Sequence, residues 1–145
     1  MNKVSIRGVV IGGVVDVILS GILGIPLIIY VLATRGLAGL PKTEMQRAVV
    51  SAIHASTSLY AVQLLIGSVC TVLGAFLAAR IAKHDHVLNG LLASLICVAI
   101  GVYSVVAGKS SEPLIIQLTL LGVITPLCGL AGGYLARPRT SANAA

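Results

Sequence analysis

Four stretches of the chain, 8–33, 58–80, 87–108 and 113–136, are almost free of charge, and polar residues collect between them. Each reaches the roughly 20 residues that a helix rising about 1.5 Å per residue needs to cross about 30 Å of hydrocarbon. Barrel strands would instead alternate apolar and polar positions over about 10 residues, whereas Leu91 to Ile100 and Leu114 to Ile124 are almost continuously apolar. Lipid offers backbone amides no partners, so helices that satisfy their own hydrogen bonds are the remaining solution. The pattern therefore predicts an all-α, integral membrane four-helix bundle forming a single membrane domain over 1–145, with a flexible tail at 138–145.

The longest connection has a different rhythm. After Pro41, the run Thr43-Glu44-Met45-Gln46 matches a capping box, and Met45, Ala48, Val49, Ala52 and Ile53 then recur at helical spacing. This predicts an amphipathic loop helix over 43–54, with a joint at His54 to Ser58. The turn between the second and third spans, Lys83 to His86, is short enough to make those spans antiparallel neighbours, and Asp85 is placed to cap the third helix. Pro26 and Pro126 should interrupt the first and fourth spans, freeing the carbonyls of Ile22 and Gly122. Leu73 to Ala78 echoes Ala131 to Ala136, each followed by arginine, which suggests two related helical hairpins.

Composition narrows the class. Hydrophobic residues make up 57% and charged ones 10%, with a mean hydropathy of +1.05, outside the range of soluble domains. The first span is too long for a signal sequence, whose apolar core runs about 7–15 residues, and is expected to remain as an anchor. The net charge of +6 is spread over the flanks of the spans. Lys3, Arg7, Arg80, Lys83, Arg137 and Arg139 fall on one side, and Arg35, Lys42, Arg47 and Lys109 on the other. The positive-inside rule then places both termini in the cytoplasm. A nucleic-acid surface would need its basic groups on one folded face, so the expected partners are the lipid bilayer and either further copies of the chain or a larger membrane protein.

Asp16 is the one acidic residue inside any span, about 12 Å in from Gly8 if the segment is helical. A carboxylate at that depth costs roughly 2.5–3.5 kcal/mol on insertion scales, so it should face protein or water and hold a partner or a proton. Counted from the termini's side, Thr71, Ser94, Thr125 and Cys128 lie at similar depth, and Ser20 is one turn along the same helix. Asp16, Ser20, Thr71, Ser94 and Thr125 form a candidate proton- or cation-binding ring, with a neutral packing role for Asp16 as the competing reading. Small residues four apart should mark helix contacts: Gly8 with Gly12, Gly67 with Thr71 and Ala75, Gly90 with Ser94, Gly129 with Gly133, and Gly74 in the repeated segment. Cys70, Cys97 and Cys128 read as small packing residues. His84, Asp85 and His86 lack the further ligands a structural zinc requires, and no metal or cofactor is expected. The four acids are too dispersed for a carboxylate pair, and no phosphate-cradling loop is present, so an enzyme is not expected.

The stretch Gly74 to Lys83, followed by Leu88 to Ser94, resembles the central hairpin of small four-span bacterial membrane proteins of unassigned function, the YrzE-like group. That resemblance implies a bacterial cytoplasmic (inner) membrane location. The carboxylate in the first span is also similar to that of the small multidrug resistance exporters, four-helix dimers that exchange protons for cationic drugs. Those use glutamate and an aromatic-lined site, whereas this chain has no Trp, one Phe and four Tyr, none of them close to Asp16 in its own span. The expectation is a non-enzymatic structural or accessory membrane protein, with a proton-coupled exporter of small cationic solutes using Asp16 as the alternative.

Overall fold

Ser5 starts the first helix: its Oγ accepts a hydrogen bond from the Gly8 amide at 3.2 Å, satisfying one of the orphan donors of a helix start. Helix α1, Ile6–Arg35, then runs unbroken through Pro26. It ends at Gly36, whose φ of +64° is the left-handed conformation that glycine adopts without strain and whose amide returns to the Leu32 carbonyl. A 3-10 turn, Leu37–Gly39, leads to α2, Lys42–His54. The other spans are α3, Thr57–Ala82; α4, His86–Val106; and a last span composed of α5, Leu114–Thr119, a π-helical segment, Leu120–Ile124, and α6, Thr125–Leu135. The computed structural model describes residues 4–107 and 114–137; the expected flexible tail, 138–145, lies outside them.

Four of these helical stretches are long and apolar enough to cross a membrane. Only 11% of the most apolar window of α1 and 22% of that of α3 is buried in the bundle, so most of their apolar surface points outward. Val14, Ile18, Ile22, Ile25 and Ile29 form such a surface on α1. This is the architecture of a multi-pass membrane protein, with the large apolar side chains on the outside of the bundle rather than in a protein core.

The two ends of the bundle differ. One carries Ser5, the α3–α4 turn and Arg137; the other carries α2 and the connection before it. Every buried residue of the spans except Val31 lies in the half nearer the first end, and almost all are small: Gly8, Gly12, Gly13 and Asp16 on α1; Cys70, Gly74, Ala75, Ala78, Ala79 and Ala82 on α3; Asn89, Gly90, Ala93 and Ser94 on α4; and Gly129, Gly132 and Gly133 on α6. Backbones approach directly there. A Cβ at Gly12 would lie 2.5 Å from the Gly74 carbonyl oxygen and 2.6 Å from Ala78 Cβ, and one at Gly8 2.8 Å from the Ala78 carbonyl. On the second hairpin, a Cβ at Gly90 would meet the Gly129 carbonyl at 2.8 Å, and one at Gly133 the His86 carbonyl at 2.7 Å. Gly132 presses on Val72 and Ala75, joining the hairpins through the repeated segments. Arg80 and Arg137 each stack on the aromatic ring of their own repeat, Phe76 at 5.2 Å and Tyr134 at 5.5 Å. Gly67 departs from the expected packing role. Nothing lies within 4 Å of where its Cβ would be, because that part of α3 borders open space.

Two local expectations are corrected. Helix α2 begins at Lys42, with the extended Pro41 at the cap and its carbonyl accepting from the Met45 amide at 2.8 Å; Thr43 is already in the first turn, and no side chain caps the helix. Asp85 occupies the cap position of α4 but makes no side-chain cap bond, since its φ of +41° departs from the extended conformation that aims an N-cap. The turn is instead fastened by the fully buried Asn89. Its Nδ2 donates to the carbonyls of His84 (2.9 Å) and Asp85 (3.2 Å), and its Oδ1 accepts from the Ser5 amide (2.8 Å).

Candidate functional site

The last buried small residues give way, one turn further along each helix, to a cavity of about 760 Å³. Its floor is Asp16, 4% exposed, and its walls come from all four spans. Helix α2 lies across the far end, held by Val49 and Ile53 packing on Val31, with Leu27, Leu32, Met45 and Leu59 around them. At the joint that follows, His54 meets Tyr60 edge to face at 5.3 Å. Gln46 on α2 and Gln63 on α3 supply polar groups in the half near α2, while the wall between them and Asp16 is mainly aliphatic.

Asp16 holds two neutral donors. The Ser20 hydroxyl donates to Oδ1 at 3.3 Å, as the one-turn spacing implied. The Cys97 thiol on α4 donates to Oδ2 at 2.8 Å. The packing role expected for Cys97 is thus replaced by a polar one. Its helix is brought against α1 where Gly13 lacks a side chain and Ile96 fills the space, which sets Cys97 beside the carboxylate. The signal available in the sequence was a thiol within a turn of the expected depth, and depth alone does not tell which way it points.

The rest of the ring divides. Thr71, Thr125 and Cys128 line the cavity with Asp16 and Ser20, but the hydroxyls of Thr71 and Thr125 are engaged with the backbone, donating to the carbonyls of Gly67 (3.1 Å) and Leu120 (3.0 Å). Ser94 is elsewhere: 1% exposed, it donates to the Leu91 carbonyl at 2.8 Å and packs against Gly129. Cys70 is fully buried, as a packing residue should be. Among the described residues no group of three metal-ligating side chains gathers.

The π-helical segment explains how Thr125 reaches the cavity. Pro126 has no amide to donate and its ring crowds the carbonyl four residues back. Widening the preceding turn accommodates this and lets the Leu120 carbonyl accept both the amide and the hydroxyl of Thr125. Such wide turns are frequent at functional sites.

The site is a carboxylate with no cationic partner in its hydrogen-bond shell among the described residues, at the base of an aliphatic chamber in a multi-pass helical bundle. Comparison with protein-family models, with curated proteins and with solved structures finds no match to this chain.

Proposed function

We propose that the protein binds small cationic solutes in this cavity and exchanges them for protons across the membrane, with Asp16 as the shared proton or cation acceptor. The observation that carries this reading is the placement of a buried carboxylate at the floor of a chamber large enough for an organic ion. Ser20 and Cys97 fix its orientation by donating to different oxygens. A purely structural or accessory role accounts for the outward apolar surface but gives the chamber no use. With the termini in the cytoplasm, as the distribution of basic residues favours, the cavity lies in the outer half of a bacterial inner membrane and α2 lies at the outer surface.

The test is proton release from purified, detergent-solubilised protein on addition of a panel of lipophilic cations, comparing the parent with Asp16→Asn. Release in the parent that disappears in the variant supports exchange at Asp16. A folded parent that releases no proton with any compound overturns it.

A further inference from the structure

The walls of the cavity are not closed all round. Helices α1 and α4 meet where Gly13 receives Ile96 and where Asp16 bonds Cys97. Toward α2 from that level, Val17 and Ile28 on α1 and Ile100 on α4 line the cavity and are nevertheless 48%, 43% and 48% exposed. A residue that both lines a chamber and faces outward marks its rim. Among the described residues, α1 is not packed against the last span, so that span does not cover this side. On this α1–α4 side the rim is aliphatic and lies within the membrane-spanning lengths, so what adjoins it is hydrocarbon, whereas the exposed Gln46 and Gln63 line the cavity nearer α2.

Resting on the proposed role of Asp16, we infer that the cavity is filled sideways from the bilayer, and that its ligands are lipid-soluble amines carrying a removable proton rather than permanent cations. An aliphatic window admits an uncharged amine at little cost, whereas a fixed charge must be desolvated to pass it. At the floor, the nitrogen lone pair of an arriving amine takes the proton of the Asp16 carboxyl group. An N–H bond forms, the carboxyl O–H bond breaks, and an ammonium–carboxylate pair results with no proton lost to solvent. A quaternary ammonium ion has no lone pair, and occupies the same place only by sending that proton out. The aliphatic wall takes the amine's apolar body, and Gln46 and Gln63 suit a polar group at its other end.

The experiment uses the full chain in lipid nanodiscs, with a lipophilic tertiary amine and its N-methylated quaternary analogue as matched probes, at a pH above the amine's own pKa. Binding kinetics and proton release are read for the parent, Asp16→Asn, Ile100→Trp and Ile100→Ala. The inference expects amine binding without proton release, loss of that binding in Asp16→Asn, association at least 10-fold slower in Ile100→Trp, and undiminished association in Ile100→Ala. Because Ile100 faces outward, the alanine variant separates a blocked window from a damaged fold. Amine association that is unchanged in Ile100→Trp, or quaternary binding with proton release and no amine binding, overturns sideways filling while leaving exchange at Asp16 intact. If neither probe binds the parent, both readings fall.

Discussion

The sharpest prediction concerns Gly12. Adding one methyl group there puts a Cβ 2.5 Å from the Gly74 carbonyl oxygen, 2.6 Å from Ala78 Cβ and 3.2 Å from Ala78 Cα. Carbon pairs settle at about 3.5–4.0 Å, so α1 and α3 must separate by roughly 1 Å locally. Neither obstacle can rotate away, because one is backbone and the other is an alanine. Overpacking of this kind costs about 1–3 kcal/mol, which corresponds to roughly a 5- to 150-fold change in the folded-to-unfolded ratio. The displacement also acts on the site, since a Cβ at Gly74 would lie 2.8 Å from Asp16 Cβ, so the same contact sets the position of the carboxylate. The control is Gly21→Ala, where nothing lies within 4 Å on the same helix. Equilibrium unfolding in mixed micelles of increasing denaturing detergent should show a clear loss for Gly12→Ala and none for Gly21→Ala. Equal stability of the two variants would refute the claim that backbone contact at Gly12 holds α1 to α3.

Other substitutions probe separate parts of the fold. Asn89→Ala removes the side-chain partners of the Ser5 amide and the His84 carbonyl at a fully buried position, while the Asp85 carbonyl keeps the backbone amide of residue 89; leaving buried groups unmet costs about 1–3 kcal/mol. The loss should appear in the same unfolding assay, together with faster hydrogen exchange at Ser5. Gly36→Ala forces a Cβ into a left-handed residue, so a cost of about 1 kcal/mol is expected, with space itself no obstacle because nothing lies within 4 Å. Circular dichroism should show the helices retained. Thr125→Val removes a hydroxyl bond whose acceptor, the Leu120 carbonyl, keeps the backbone amide. Its cost should be close to the ~0.6 kcal/mol average of membrane hydrogen bonds, and a loss several times larger would mean that the hydroxyl maintains the wide turn.

Depth was readable from the sequence and direction was not. Uncharged length located all four spans, because hydrocarbon thickness is a property of the solvent rather than of the fold. Position along the helix likewise set Asp16 level with Thr71, Thr125 and Cys128, which line its cavity. Ser94, at the same nominal depth, turns instead to Gly129, and Cys97 takes the place beside the carboxylate. The rotation of α4 that decides between them follows from which glycine meets which ridge, and the small residues are too many for the sequence to say. The cavity left no mark for a related reason. In lipid, a position facing a chamber and one facing acyl chains are both aliphatic, so Ile28 and Ile29 read alike although only Ile28 lines the cavity. Asn89 was overlooked because an asparagine one turn into a helix resembles a solvated surface residue until the preceding turn folds back onto it.

The concentration of glycine and alanine at one end of the bundle also determines how the molecule can deform. Side chains that short have no rotamers to absorb a displacement, so the helices there can only rock as whole bodies over their mutual contacts. From Asp16 to Arg35, α1 extends about 28 Å beyond that fulcrum at 1.5 Å per residue. A rocking of ~5° at the glycine contacts therefore carries its far end roughly 2.5 Å, about half the pitch of a helical turn, and takes with it the Val31 surface on which α2 is seated.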